Sequence, residues 1–565
     1  MKKILFLIIG TLLVLGLVLP GCGNGVADDF DQYIKIGIAG PMGQSQGQHH
    51  MYGAELARDE INDAGLGGVV VGGLTYGIEL VEIDTNEVLS PSGVDGLTAM
   101  SDALSDGVDI FMGGFRTEAV FAYRTVAVGP TGADKIFIDC GAATEALTHS
   151  VVDAYDDYQY WFKGTPPNEL FLSESNSKLI GMIVAMTSGY KGAVTGNATY
   201  NPKVAFIAEE ALWTELSRAL TTYKLGTVYG WLVGPTANHV WTPAPVATPT
   251  QMNTMLNEIA GYNPEIILTI MSGPVGVTYA SLVDDLVPDV LTLGINVEAQ
   301  RVGFPEAVGE ESAEGMIFLD SWAPGVNITT TTAAFLDAFE DKTEQWPIYT
   351  AATYDALLSL ADSIGTANSL SAAALIPVME ASQYAGTSGT SAYYPLDDGS
   401  TTGNHPFGVL FGYPATTEAL NVGQVLALYP WLTQAKFTNY PGYPPTAAVN
   451  WTYNADDWTM LPHTSHDLVY GPEWVTGTAS QWQDVSGNLT KVGVWPKPYL
   501  AGAPYNFPTS QAMWLGYLAG APDAVAVYTA QELGLWDKYG WWHFEYEGTG
   551  TVDLTDWWTW LALGW

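Results

Sequence analysis

Basic residues are scarce in this chain: 19 lysines and arginines stand against 60 aspartates and glutamates in 565 residues, a formal charge of −41 at neutral pH. Recognition of a phosphate backbone needs clustered Lys and Arg, so the composition excludes nucleic acid as a partner. Cysteine is nearly absent. With only Cys22 and Cys140, at most one disulfide can form, and the fold must stand on its hydrophobic cores. Those are available, because 47% hydrophobic and 12% aromatic content excludes a disordered polymer. Histidine is also sparse. His49-His50 and the pair His463 and His466 lack further ligands at metal spacing, which assigns them surface or turn roles and predicts no metal. The glycine strings between Gly65 and Gly73 do not form a dinucleotide fingerprint, so no cofactor is expected. Asp139, Cys140 and His149 have no partner that would orient a thiol nucleophile, and the chain is read as a non-enzyme.

The N-terminus carries a targeting signal. Met1-Lys2-Lys3 precedes an almost unbroken apolar run from Ile4 to Leu19, which ends in Leu19-Pro20-Gly21-Cys22. The basic start and the Pro-Gly exit read as a secretory signal over residues 1–22. The tetrapeptide resembles the lipobox of prokaryotic lipoproteins. That resemblance implies that Cys22 is lipidated and anchors an extracytoplasmic protein to the membrane; the alternative is a plain signal cut nearby, with Cys22 lost.

Strand and helix patterns alternate after a linker at residues 23–32. Ile34, Ile36 and Ile38 alternate along a strand, the chain breaks at Gly40-Pro41, and a helix follows with Met51, Ala54, Ala57 and Ile61 on one face. Further strands are predicted at Ile78 to Asp84, Val108 to Met112 and Ile136 to Ile138. A second series runs through Val204 to Ile207, Tyr229 to Val233, Ile266 to Ile270, Leu291 to Leu293 and Met316 to Leu319. Such alternation requires parallel sheets with helices on both faces, hence an α/β protein of two doubly wound lobes. A helix from Thr353 (TYDALLSLADSI) fits either lobe. Beyond residue 388 the character changes: 14 of the 20 tryptophans lie after residue 400. Trp474 to Trp495 reads as two strands joined by a turn.

Several segments carry a resemblance to a known family. IKIGIAGPM with YGAELARDEINDAG, DGVDIFMGG (Asp106 to Gly114), CGAATEALT (Cys140 to Thr148), AEGMIFLDSW (Ala313 to Trp322), YDALLSLADSI and YGPEWVTGTASQWQ stand in the order found in branched-chain amino-acid (Leu/Ile/Val) binding proteins. These are ABC-transporter solute-binding proteins of the type 1 periplasmic-binding fold. The resemblance implies a first lobe at residues 33–155, with 323–372 returning to it, and a second at 156–322, with 373–390 and 466–497 returning. An insertion at 391–465 and an aromatic-rich extension at 498–565 complete the chain. It further implies a small-molecule ligand, an amino acid or related amide, held between the lobes, and ABC permease subunits as partners. A sensor of the same fold, or a surface carbohydrate-binding or adhesive protein acting through its tail, are the rival readings.

Carried over by position, the family's carboxylate site falls on Thr117, Ala142 and Thr144, although an ordinary helix cap is the alternative for either threonine. The position that usually supplies an acid to the ligand's ammonium is Asn296, a departure, since a neutral amide cannot neutralise a cation; Glu298 or Asp320 are candidate replacements. Trp213, Ser272 and Trp322 are expected to wall the second lobe, with core packing as the alternative for each.

The lipobox makes a direct prediction. Cys22→Ala moves the mature protein from the membrane to the soluble fraction, as fractionation and immunoblotting will show. Retention in the membrane with the apolar segment uncleaved would identify residues 4–19 as a span.

Overall fold

The computed structural model describes residues 30–63, 67–165, 202–223, 240–288, 290–393, 466–468 and 477–495, with a few positions between 168 and 180. Cys22 and the leader, the strand expected at 229–233, most of the insertion and the whole extension lie outside the described residues.

The first sheet has six strands in the order β2-β3-β1-β4-β5-β6: β1 (Gln32–Gly40), β2 (Val69–Val71), β3 (Leu74–Asp84), β4 (Ile110–Gly113), β5 (Phe137–Asp139) and β6 (Trp161–Lys163). All neighbours run parallel except β2, which turns back on β3. Crossover helices satisfy the parallel connections: α1 (Ser45–Asn62), α2 (Val94–Ser105), α3 (Thr117–Tyr123) and α4 (Glu145–Asp153). The alternation in β1 places Ile34, Ile36 and Ile38 in one core cluster with Ala54, Ala57 and Ile61 of α1. Burying each large aliphatic side chain contributes about 1.5–3 kcal/mol.

The second sheet has seven strands in the order β15-β14-β11-β10-β9-β7-β8: β7 (Val204–Ala208), β8 (Val240–Trp241), β9 (Ile266–Met271), β10 (Leu291–Asn296), β11 (Ile317–Asp320), β14 (Thr478–Asp484) and β15 (Leu489–Trp495), while β12 (Gln383–Ala385) and β13 (Thr390–Ala392) pair with each other as a separate hairpin. Helices α5 (Leu212–Tyr223), α6 (Pro249–Tyr262) and α7 (Val275–Leu286) cover it. Strand β9 is buried throughout, with Ile266, Leu268 and Ile270 in one cluster and Ile267 and Met271 in another on the opposite face. Burial on both faces is why it reads as a continuous apolar run. Within the stretch from Trp474 to Trp495, β14 and β15 form the expected hairpin, with Ser486 and Gly487 at positive φ in its turn, and β14 adds antiparallel to β11.

Several placements differ from the sequence reading. β6 belongs to the first sheet, beyond the residue 155 boundary, because Phe137, Ile138 and Asp139 pair with it. Helices α8 (Thr332–Thr343), α9 (Thr353–Ala367) and α10 (Ala372–Glu380) follow the return crossing. Leu357 and Leu360 of α9 pack with Leu375, Ile376 and Met379 of α10 on the core of the first sheet, so residues 372–380 lie there and not with the second lobe. His49, His50 and His466 are not on the surface, and His463 lies outside the described residues. His49 and His50 are fully buried: His50 lies between the carbonyl oxygens of Thr350 and Gly114, and His49 contacts Gln345 and Ile348. His466 is buried too, stacked on Phe162 at 4.0 Å and bonded to the Trp161 carbonyl and Glu380. These imidazoles fasten chain crossings to the first lobe.

His49 is locked neutral, because its Nδ1 accepts from the Ile348 N–H at 3.1 Å while Nε2 faces Gln345 Oε1 at 3.0 Å. Burial lowers its pKa from 6.5 to about 4. The unfolded chain therefore binds the extra proton first, and the stability His49 provides above pH 6.5 is lost as the pH falls toward 4. The loss is about 3 kcal/mol at most. Urea denaturation of the protein and of His49→Phe across this range should differ by this decline, with His50, lowered to about 4 in the same way, and Glu87, pushed up to about 7 with the opposite sign, contributing equally to both curves.

Candidate functional site

The carboxyl ends of the two sheets face one another across a cleft. Its lining comes from both lobes and from the returning segment: Phe115 to Glu118, Gly141 and Ala143 on the first side, and Glu209, Ala211, Trp213, Ser272 and Asp320 to Trp322 on the second, with Tyr349 and Gln300 between. It holds about 890 Å³ of atom-free space, part of it open to solvent.

Each wall is built from a strand end. After β4 the chain leaves through Gly113 and Gly114, both at positive φ, and a Cβ at Gly113 would stand 2.1 Å from the Ala39 carbonyl oxygen. Only glycine lets the loop turn there. The next loop approaches equally closely, since a Cβ on Gly141 would meet the Gly114 carbonyl oxygen at 1.6 Å. Glu87 holds the first loop from behind: its carboxylate accepts from the Arg116 N–H at 2.6 Å, the Thr85 hydroxyl and the Tyr123 hydroxyl, and burial pushes its pKa up to about 7. Asp139 holds the second loop, accepting from the Gly141 and Ala142 N–H groups while ion-paired with Lys163.

On the other wall Glu209 follows β7 and is fully buried; one of its oxygens accepts from the Ser272 hydroxyl. Burial raises its pKa, with the Arg116 charge and the Ser272 hydroxyl opposing the rise. Asp320 ends β11 and is ion-paired with Lys491 at 2.7 Å, its carboxylate also accepting from Ser480 Oγ and the Ser321 N–H. The lobes touch directly. Gln46 donates to Glu298 Oε1 at 2.7 Å and to the Ser272 carbonyl, the Leu212 N–H donates to Glu118 Oε1 at 2.7 Å, and the Tyr349 N–H donates to Gln300 Oε1.

Four of the sequence-derived candidates, Thr117, Trp213, Ser272 and Trp322, line this one cleft. The other three stand behind its wall. Ala142 commits its N–H to Asp139, and Thr144 Oγ1 donates to Glu169 Oε1 at 3.0 Å. Asn296 turns toward α7, where its amide donates to the Gly276 carbonyl at 3.3 Å. Glu298, one suggested replacement for it, is taken up by Gln46 and Arg301, and Asp320, the other, by Lys491. Sequence reasoning passed over Arg116, Glu118, Glu209 and Tyr349. A signal existed for two of them: Arg116 is one of few cations and stands two residues past the Gly-Gly exit of β4, and Glu209 is the first residue past β7. Among the described residues no group of three His, Cys, Asp or Glu side chains is placed to hold a metal.

A family model described as periplasmic binding protein matches residues 34–411, more than half of the chain. The chain belongs to the periplasmic binding protein family. Its two doubly wound lobes are the type 1 periplasmic-binding fold. Solved structures agree on the fold. The branched-chain amino acid transporter substrate-binding protein LivJ from Streptococcus pneumoniae, solved with isoleucine, is 16% identical with a TM-score of 0.51, covering 82% of this chain and 99% of its own. A putative branched-chain amino acid ABC transporter protein from Silicibacter pomeroyi is likewise 16% identical at a TM-score of 0.51, covering 84% and 99%. No curated protein matches the chain.

The wall of this binding protein separates two kinds of polar residue. Asp320→Asn leaves the buried Lys491 ammonium without its partner and should lower unfolding free energy by about 3–5 kcal/mol. Thr117 Oγ1 is buried with no hydrogen-bond partner among the described residues, so Thr117→Ala should change it by less than about 1 kcal/mol. Urea titration of both variants checks the contrast.

Proposed function

We propose that this binding protein is an extracytoplasmic receptor, lipid-anchored through Cys22, that captures a small solute between its lobes and delivers it to an ABC importer. The solute is an amino acid or related amide. One observation carries the reading: residues lining the cleft between the lobes carry buried polar atoms that no described residue satisfies. Arg116 Nε and Thr117 Oγ1 belong to the first wall, Glu209 Oε2 and the Trp322 indole N–H to the second. Buried polar groups are paired in folded proteins, and an exception at a cleft needs an explanation. A solute with an acceptor at one end and a donor at the other provides it, with Trp213, Phe115 and Tyr349 offering apolar wall to its side chain.

The mechanism is hinge closure. A solute that contacts both walls gains its full set of bonds only when the lobes are together, so binding shifts the population toward the closed form. The Gln46–Glu298 and Glu118–Leu212 bonds favour the same form and lower the differential affinity the solute must supply. The importer then recognises a surface that exists only when the lobes are closed. No covalent step is needed.

Mass spectrometry of small molecules released by denaturing the purified protein tests this, and one amine- or amide-bearing solute per chain is the expected result. Thr117→Ala should weaken that solute by roughly 10- to 150-fold, the effect of losing one hydrogen bond of about 1.5–3 kcal/mol to a charged partner, and Thr144→Ala should leave it unchanged. Release of an oligosaccharide, or unaltered affinity in Thr117→Ala, would remove the support for this reading.

A further inference from the structure

The structure assigns the amine of the solute to Glu209, and with it the chemical class of the ligand: a primary amine, for which a free carboxylate is dispensable. The inference rests on the cleft being the solute site and goes beyond it by asking which of the cleft's acids is still available.

Three carboxylates line the cleft. Asp320 is satisfied, with Lys491 at 2.7 Å, Ser480 Oγ at 2.8 Å and the Ser321 N–H at 2.9 Å filling its two oxygens. Glu118 is engaged by the Leu212 N–H at 2.7 Å and stands 3.7 Å from the Arg116 guanidinium. Of the three, Glu209 alone keeps an oxygen with no donor among the described residues: Oε1 takes the Ser272 hydroxyl, while Oε2 is buried with none. Asn296 also keeps an unpartnered Oδ1, but it does not line the cleft and its amide donates to the Gly276 carbonyl behind the wall.

The charges of the wall agree with this assignment. Lys491 offsets Asp320, while the single Arg116 charge is shared between Glu118 and Glu209, which leaves the lining with one acid in excess. A buried carboxylate in that position favours a ligand that brings a positive charge and N–H donors. The first wall asks only for an acceptor. Arg116 Nε and Thr117 Oγ1 are served by an amide carbonyl as well as by a carboxylate, because Arg116 is already partly neutralised by Glu118. A monocationic amide of an amino acid therefore matches the cleft at least as well as the zwitterion, and a carboxylate without an amine matches it worst.

Matched probes test the assignment on the unaltered protein by titration calorimetry: L-leucinamide and L-phenylalaninamide, the two free amino acids, and 4-methylpentanamide and 4-methylpentanoate, which lack the amine. The expected ranking places both amides of amino acids at or above the zwitterions, and both above the amine-free compounds by tenfold or more. Glu209→Gln should weaken the amine-bearing probes by tenfold or more while leaving the melting temperature unchanged or higher. Ser272→Ala, which removes the hydroxyl that orients Glu209, should weaken them less. Tighter binding of an amine-free probe, equal affinity of Glu209→Gln for amines, or no binding by any amine-bearing probe would each overturn the assignment. The two readings fail differently. If an amine-free probe binds and Thr117→Ala abolishes it, the cleft is the solute site and Glu209 is not its amine acceptor; if neither variant changes any binding, the cleft itself is misassigned.

Discussion

Charged groups buried between the facing ends of two sheets have to be matched, and the rest of this structure is arranged around that demand. In a low-dielectric cleft a lone carboxylate or ammonium is costly, and removing one member of a pair leaves the other uncompensated. The chain has only 19 basic residues, yet Lys163, Lys491 and Arg116 are all buried near this cleft, two of them against Asp139 and Asp320. Each of those pairs holds a loop: Asp139 grips the turn that carries Gly141 and Ala142, and Asp320 ties β11 to the hairpin of β14 and β15. A scarce residue type is thus concentrated where a missing cation would cost most.

Matching the wall so fully is what makes its few exceptions informative. Where Ala142, Thr144 and Asp320 are satisfied within the protein, Thr117 Oγ1, Arg116 Nε, Glu209 Oε2 and Trp322 Nε1 find no partner among the described residues. The loops presenting these atoms cannot easily relax to satisfy them. Gly113 and Gly141 bring backbone against backbone at distances no other residue tolerates, and Glu87 pins Arg116 from beneath. Rigid presentation of unsatisfied groups is the condition for binding a small polar solute with specificity.

Much of the architecture was legible in the residues, for identifiable reasons. The alternating isoleucines of β1 and the continuous apolar run of β9 reflect burial on one or both faces, and periodicity reports burial directly. The hairpin of β14 and β15 was legible from its turn. Short strands were not: Val69–Val71 and Trp161–Lys163 have too few residues to show a period. The placement of α10 and the burial of His49, His50 and His466 escaped as well, because contacts such as His50 with Thr350, or His466 with Trp161, join residues about 300 apart.

The site divides in the same way. Position along the family pattern located the strand ends, and Thr117, Trp213, Ser272 and Trp322 do converge on one cleft. It did not distinguish a residue that faces the cleft from a neighbour that faces the core. Ala142 stands between Gly141 and Ala143, which line the cleft, yet is itself packed into the core cluster of Phe137 and Leu147. Sequence by itself determined the fold class, the two lobes and the strand ends where a site would form, since hydrophobic periodicity and loop chemistry are local properties. Tertiary structure alone decided which polar atoms remain free, because that depends on whether a partner from the other lobe or a distant strand arrives to satisfy them, as Lys491 does for Asp320 and nothing described does for Glu209 Oε2.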